Sequence, residues 1–378
     1  MPVSTRNSPV AQKQIDILLG HIIKKGEEHR PLRQPGGISD ATLATYGIRR
    51  IPLDFETLED ENYNLSLEPP VLFAPQPLSV LNEHPVDPSI DEMWFRDYNP
   101  PSDPEEREKG WWEPLDCARG IETFLDLWSR GCWRPGAINL REQCGLRHIR
   151  VPNPFLLLNP CPGNMWPPPE SRWSLETTLE SLPNPQNPDN NMTAHPHLIL
   201  MTILGGNGKE GSILAGELAS IIVTMYNRLH QPETYGEEDE EDLMENAKYA
   251  EARSRKRAFP TEGRFPILLI SLMGPQHARL SYACMDDAEL VIRQSKLYSF
   301  EVGDTAPWDF FSRFALSRPL TESSRKLPVL PSPSFQHPSP RDVRSGSKSL
   351  GGPTSGPSPE LTLVLRIKNN EERDDLRS

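Results

Sequence analysis

Proline sets the strongest limit on what this chain can fold into. The 378 residues include 41 prolines, about twice the usual frequency of roughly 5%. Because proline fixes φ and removes a backbone hydrogen-bond donor, a proline-dense segment builds neither long helices nor inner strands. Apolar residues make up only 36% of the chain, below the roughly 45–50% of typical globular domains even after allowing for the glycine that those counts include. We therefore expect a modest core that carries long extended loops and at least one disordered tail.

The pattern of a folded core lies between residues 197 and 300. The continuous apolar run "HLILMTIL" (His197–Leu204) is typical of a buried strand. Ser212–Leu229 has an apolar stripe at helical spacing, and Phe265–Phe300 contains three strand-like runs. We predict an α+β protein in which a small mixed or antiparallel sheet packs on one main helix, with long proline-rich loops and a disordered C-terminal tail.

Composition divides the chain into five consecutive parts. Blocks of charge are usually solvated, so we expect a charged, disordered insertion within the core. The N-terminal helix is expected to dock on the body of the protein, with a partner-binding arm as the alternative. The parts are an N-terminal helix (1–28), an extended proline-rich segment (29–110), the α+β core (111–317, with the insertion at 232–260), a disordered Pro/Ser-rich tail (318–359) and a short C-terminal element (360–378).

Charge and hydropathy restrict the partners. The net charge of −13 disfavours a general nucleic-acid binder, because phosphate contacts need clustered Lys and Arg. We expect no signal peptide near the N-terminus, and no run in the sequence approaches the ~18 apolar residues of a membrane span. We expect no membrane partner and a cytoplasmic or nuclear location, with "RSRKR" (Arg253–Arg257) as a candidate nuclear localisation signal.

The five cysteines are odd in number and include no CxxC pair. A disulfide framework is therefore not indicated. Buried free thiols are the favoured interpretation, and a zinc site built from Cys132, Cys144 and His148 is the alternative, with a spacing that fits no common pattern. We predict no metal and no cofactor.

Tryptophan is dense between residues 111 and 173. Part of this region, "WWEPLDCARGIETFLDLWSRGCW", has apolar residues at helical spacing and ends at Gly131, as a helix with a glycine cap would. Such clustering indicates a small core filled with large side chains; the alternative is a platform for sugars or bases.

The strand-like runs that follow Gly274 predict a ligand site. If the turn at Asp286–Glu289 is tight, Ser281 pairs with Gln294 and Arg279 pairs with Lys296. Alternation then turns Ala278, Leu280, Tyr282 and Cys284 toward the 212–229 helix and leaves a polar, cationic face outside. Arg and Lys supply charge-assisted donors for an anion, although a solvated sheet face is the alternative. The predicted anion- or ligand-binding residues are His277, Arg279, Gln294, Lys296 and Tyr298.

A glycine loop joins the apolar run to the helix. Gly206, Gly208 and Gly211 fit G-x-G-x-x-G between a strand and a helix, as in a dinucleotide fingerprint. The fingerprint also needs a second strand that ends in an acid, whereas here the helix runs into "HQPETYGEEDEED". A Walker A pattern fails because Glu210 follows Lys209. The loop is a weak candidate for nucleotide binding.

A helix followed by a β-meander resembles the back half of the PD-(D/E)XK nuclease fold. That chemistry needs clustered carboxylates for Mg²⁺ and a nearby lysine. The chain contains no Glu-x-Lys, and Gln294-Ser295-Lys296 is the nearest variant. Only a degenerate member of that fold is compatible with the sequence.

A second resemblance is more specific. Gly216-Glu217, "LMGPQHAR" (Leu272–Arg279) and "LVIRQSKLYSF" (Leu290–Phe300) resemble a family of uncharacterised ascomycete fungal proteins. The resemblance covers residues 197–317, with "TAPWDFFSRFAL" as a closing helix. It implies a fungal, intracellular protein of the accessory-factor kind. No catalytic residues carry over, because the family has no established activity.

Three functional hypotheses follow. The first is a non-catalytic interaction or accessory protein with an unidentified protein partner, which the tail, the acidic loop and the lack of a convergent catalytic set favour. The second is a degenerate PD-(D/E)XK-like nucleic-acid-processing protein that uses Arg279 and Lys296. The third is a nucleotide-binding enzyme that uses the glycine loop. We predict no catalytic residue.

Overall fold

The computed structural model describes the chain in ten segments. All of them belong to the first of the two units into which the chain divides, Met1–Leu327. The predicted tail beyond Glu322 and the short element at 360–378 lie outside the described residues. The described segments are residues 8–23, 31–33, 36–85, 95–109, 112–131, 139–149, 168–181, 195–234, 237–245 and 254–322.

Two sheets are present in the described segments. The larger has eight strands: β1 (Ile48–Pro52), β3 (Leu146–His148), β4 (Trp173–Ser181), β5 (Leu198–Asn207), β6 (Ile267–Gly274), β7 (His277–Asp286), β8 (Glu289–Gln294) and β9 (Tyr298–Ser299). Seven of them follow the order β1-β8-β7-β6-β5-β4-β3, and β9 pairs with β7. The smaller sheet joins β2 (Phe73–Ala74) to β10 (Arg318–Pro319).

Helices cover the larger sheet. The described helices are α1 (Ser8–Ile23), α2 (Asp40–Ala44), α3 (Glu61–Ser66), α4 (Leu78–Asn82), α5 (Pro104–Lys109), α6 (Pro114–Arg130), α7 (Leu140–Gln143), α8 (Ala215–His230), α9 (Glu237–Glu245) and α10 (Trp308–Ala315). The α+β class is confirmed. The predicted small sheet on a single main helix is wrong, because helices pack on both faces of a much wider sheet.

The centre of the sheet is the parallel pair β5 and β6, which α8 connects. All eight residues of β6 are buried, as is β5 from Leu198 to Gly206. Strands that are covered on both faces read as continuous apolar runs, which explains why both were visible in the sequence.

One face of the sheet carries α8, with α1 in contact with it. Fourteen of the sixteen residues of α8 are buried, as expected for a helix that has protein on more than one side. Ile15, Leu18 and Ile22 of α1 are at most 1% exposed and belong to the same apolar cluster. The predicted docking of the N-terminal helix is confirmed.

The opposite face carries α6 and α10. Ala278, Leu280, Tyr282 and Cys284 pack in this second cluster, whereas they were predicted to face the 212–229 helix. That prediction is wrong because both faces of β7 are buried, so alternation of apolar and polar residues did not identify the face toward α8.

The segment predicted to be extended, 29–110, also enters the core. Its strand β1 pairs in parallel with β8, with Ile48 opposite Leu290. The strand was not predicted because two arginines interrupt the apolar residues of its sequence, "IRRIP". Arg49 pairs with Glu289 at 2.7 Å, and Arg50 pairs with Asp40 at 2.8 Å.

Two further parts predicted to be disordered belong partly to the fold. The insertion at 232–260 contains α9, and its Pro232 forms an isolated bridge with Arg257. The first residues of the predicted tail form β10, and Leu320 is only 1% exposed. In the candidate localisation signal, Arg255 pairs with Asp239 at 2.7 Å and Lys256 with Glu233 at 3.0 Å.

The cysteines of the described segments are free. Cys117 and Cys284 are buried, and Cys144 is half-buried; Cys132 and Cys161 lie outside these segments. No three metal-ligating side chains within the described segments are placed to hold a metal ion. None of the helices described has the length and apolar character needed to cross a membrane.

Candidate functional site

The five residues predicted to bind a ligand do not form one surface. Arg279 is fully buried and Gln294 is 2% exposed, because α8 covers the face of the sheet on which they lie. Lys296 is exposed, whereas His277 and Tyr298 are half-buried. The predicted solvated, cationic face is therefore wrong.

A β-bulge explains the separation. Ser281 pairs with Gln294 as predicted, but the pairing of β7 with β8 ends there, and the predicted pair of Arg279 with Lys296 is not formed. Pairing resumes with Tyr298 opposite Ala278, so one extra residue has been inserted and the following side chains change face.

Lys296 and Tyr298, which follow the bulge, lie on the side of α10. Tyr298 packs against Phe311 with ring centroids 5.4 Å apart. Lys296 Nζ lies 3.3 Å from Glu56 Oε1 and 5.0 Å from the centre of the Tyr298 ring. Lys296 and Tyr298 therefore contact each other and are separated from Arg279 by the sheet.

Arg279 forms a buried ion pair with Glu217. Its Nε donates to Glu217 Oε1 at 2.7 Å, its Nη2 donates to Oε2, and both side chains are fully buried. Glu217 Oε2 also accepts the backbone N–H of Leu214 at 2.7 Å and so caps the start of α8. The pair neutralises both charges and fixes the helix to the sheet.

The glycine loop is held by two arginines through its carbonyl groups. Arg279 Nη1 donates to Lys209 O at 3.1 Å, and Arg50 Nη2 donates to Gly211 O at 2.7 Å. Glu210 Oε1 accepts the backbone N–H of Leu297 at 2.6 Å. Arg279, Arg50 and Glu210 thus bind groups of the protein itself. The nucleotide-binding and nuclease hypotheses stay predictions.

Packing accounts for a glycine at position 206. A Cβ added there would lie 2.8 Å from the backbone oxygen of Glu170, which is too close for ordinary packing. We expect Gly206→Ala to lower the free energy of unfolding by about 1–3 kcal/mol, as overpacking does. Gly211 has a φ of +72° and open space around it, so Gly211→Asn should cost less than ~1 kcal/mol. Urea denaturation of both variants tests this, and an equal loss would contradict it.

A different site lies on the side of α6 and α10. An open groove of about 1170 Å³ runs between these helices, the 95–99 segment and the turn at 303–307. Its aromatic lining consists of Phe95, Trp112, Phe124, Trp128, Trp308 and Phe310.

The tryptophan-rich region is divided between core and groove. Trp112 and Trp128 line the groove, whereas Trp173 is 3% exposed and belongs to the core. The core interpretation therefore holds for Trp173, and the platform for sugars or bases stays a prediction for Trp112 and Trp128. Trp111, Trp133 and Trp166 lie outside the described residues. Trp308 was not singled out from the sequence, because it is far from the others along the chain.

Ring contacts and hydrogen bonds fix the shape of the groove. Trp308 lies 4.5 Å from Phe124 and 4.8 Å from Phe95, measured between ring centroids. The Trp308 Nε1–H donates to Gly303 O at 2.9 Å, and the Trp128 Nε1–H donates to Asp309 Oδ1 at 3.0 Å. Because these indole N–H groups are satisfied within the protein, the rings present apolar surface to the groove.

The charge of the lining is mainly negative. Asp97, Asp304 and Asp309 are exposed, and Arg96 lies over the Trp112 ring with 3.8 Å between its Cζ and the ring centroid. Three acids and one arginine give the groove a formal charge of −2. An aromatic surface with acidic groups at its rim is suited to a cation, because ring faces and carboxylates both attract positive charge.

One carboxyl group on α6 is strongly perturbed. Burial, followed by the nearby Asp126 and Glu176, raises the pKa of Glu122 to about 7. Asp126 is paired with Arg141 at 2.6 Å, and Arg141 Nη1 lies 3.2 Å from His148 Nε2. Glu122 is therefore partly protonated near neutral pH, beside an ion pair that joins α6 to α7 and β3.

Comparison with known proteins gave no match to a family model, to a curated protein or to a solved structure.

Proposed function

We propose that this chain is a non-catalytic interaction protein whose aromatic groove binds a segment of a partner protein. The groove is the observation that carries the proposal. It joins six aromatic side chains in an open site of about 1170 Å³, and aromatic-lined grooves are a recurring way in which proteins bind a segment of a partner. The fungal accessory-protein family and the cytoplasmic or nuclear location belong to the same proposal.

The composition of the groove supports a protein partner. Trp, Tyr and Arg dominate the residues that supply most of the energy at protein interfaces, and the groove contains three tryptophans together with Arg96. Trp308 is 6% exposed and packed on several rings, so the floor is rigid. A rigid site loses little side-chain entropy when a partner binds.

Trp112 is the best residue with which to test the groove. It is half-buried, lines the groove and has Arg96 stacked on its ring. We expect Trp112→Ala to weaken partner binding by at least about tenfold, as the loss of an interface hot spot does. The partner is first captured by crosslinking in cells, and its dissociation constant is then measured with purified proteins.

Tyr63 offers a matched control. Its side chain is 39% exposed and is not part of the groove lining. Tyr63→Ala should leave the dissociation constant unchanged, and melting curves show whether both variants are folded. A partner that binds the Trp112→Ala variant as tightly as the natural protein would contradict the proposal.

A further inference from the structure

We infer that the segment bound in the groove carries an arginine, whose guanidinium enters a smaller cavity that adjoins the groove. This inference rests on the proposed function and specifies the chemistry of the partner. The cavity has a volume of about 260 Å³ and shares Phe95 and Arg96 with the groove. At ~30 Å³ for each water in the liquid, it has room for about eight or nine waters.

Gln276, one of the residues that line this cavity, carries an acceptor that is buried and unpaired within the described segments. Gln276 is only 3% exposed, and its Nε2 donates to Arg96 O at 2.9 Å. That bond fixes the orientation of the amide and leaves Oε1 without a hydrogen-bond partner among the residues that the structure describes. Because a buried acceptor is destabilising when it is left unpaired, a ligand that donates a hydrogen bond here is favoured.

The other residues that line the cavity also favour a ligand that donates hydrogen bonds. Asp116 contributes a carboxylate, and Gly120 leaves open space where a side chain would otherwise stand. Burial raises the pKa of the Cys117 thiol to about 11, so this wall is neutral near pH 7. Asp116 adds a fourth acid to the three of the groove, against Arg96 as the cation among the lining residues that the structure describes. The combined formal charge is −3, which disfavours an anionic ligand.

Arginine fits these walls better than lysine. Its planar guanidinium has five N–H donors and stacks on aromatic faces. The contact of Arg96 with Trp112, 3.8 Å from Cζ to the ring centroid, shows that the rings of this site accept a guanidinium in that geometry. A partner arginine can stack on the aromatic wall while it donates to Gln276 Oε1 and to the Asp116 carboxylate.

The cavity can be filled without altering the groove. Gly120 lies on α6, and a Cβ placed there meets no atom within 4 Å. Gly120→Leu therefore adds a large side chain to the lining of the cavity, and Gly120→Ala is the matched small variant, which also favours the helix. Asp116→Asn removes the negative charge at nearly constant volume. Melting curves of all three establish that they are folded.

The probe is a phage-displayed library of random dodecapeptides, selected on the full-length protein. We expect the selected peptides to share an arginine. Replacing that arginine by lysine or by uncharged citrulline in the synthetic peptide should weaken binding at least about tenfold. Gly120→Leu and Asp116→Asn should each remove most of this preference, whereas Gly120→Ala should keep part of it.

The outcomes separate this inference from the proposed function. Peptides that need Trp112 but carry no shared arginine, or that bind the Gly120→Leu variant equally well, would overturn the arginine assignment and leave the groove in place. If no selected peptide depends on Trp112, the groove proposal fails as well. An arginine preference that is lost in the Gly120→Leu variant and in the Asp116→Asn variant supports the arginine inference and the groove proposal together.

Discussion

Replacing Arg279 by methionine is expected to lower the free energy of unfolding by about 3–5 kcal/mol, the range found when one partner of a buried ion pair is removed. The reason is the carboxylate left behind. Glu217 is fully buried, and a buried charge without a partner is strongly unfavourable. The substitution also removes the donor that binds Lys209 O. Urea denaturation at neutral pH measures the loss.

Two comparisons make this prediction specific. Adding Glu217→Gln to the Arg279→Met variant removes the unpaired charge and keeps an acceptor for the Leu214 N–H, so it should restore part of the stability. The exposed pair of Lys296 and Glu56, with side chains 63% and 56% exposed, is the matched control, and Glu56→Gln should cost only about 0–1 kcal/mol. Equal losses of stability for Arg279→Met and Glu56→Gln would contradict the prediction that the buried pair contributes more than the exposed pair.

Acid is expected to destabilise the fold through His197. Burial, and then the neighbouring His195, lowers the pKa of His197 to about 3, whereas the unfolded side chain titrates near ~6.5. The Nε2–H donates to Leu320 O at 3.1 Å, which holds the neutral ring in place. Below pH ~6.5 the unfolded state binds a proton at this histidine and the folded state does not. The free energy of unfolding therefore falls by about 1.4 kcal/mol for each pH unit below ~6.5, and above that pH this histidine causes no loss.

A substitution isolates this histidine from the other titrating groups. His197→Gln keeps a side-chain N–H for Leu320 O but binds no proton. The slope of the free energy of unfolding against pH, between pH ~6 and ~4, should therefore decrease by the contribution of about one bound proton. Burial also lowers the pKa of His148 and of His195, and their part of the slope should remain. An unaltered slope in the His197→Gln variant would contradict the prediction.

The elements that could be predicted from the sequence are those that are buried along nearly their whole length. The strands β5 and β6 and the helix α8 appear as apolar runs or stripes, because protein surrounds them. Strand β1 was missed because its arginines find acids or amides far along the chain, such as Glu289 and Gln294. A polar side chain whose partner is 240 residues away gives no local sign that it lies in a sheet.

The candidate site was predictable only in part. The density of tryptophan marked Trp112 and Trp128, and an alternative to core packing was kept open for them. Trp308, with Phe95 and Gln276, comes to the same place only through the tertiary fold. Arg279 was misplaced for the opposite reason, since its charge suggested solvent while Glu217, 62 residues earlier, neutralises it inside the protein.

The pairing of β1 with β8 has a consequence for how the protein is made. Residues 48–52 complete the edge of a sheet whose neighbouring strand is residues 289–294. On the ribosome, this N-terminal segment emerges long before its partner exists, and so does α1, which packs on α8. Folds with such distant contacts form slowly, and strand edges left open in the meantime favour aggregation. The nascent chain is therefore most in need of a chaperone until residue 294 has left the exit tunnel.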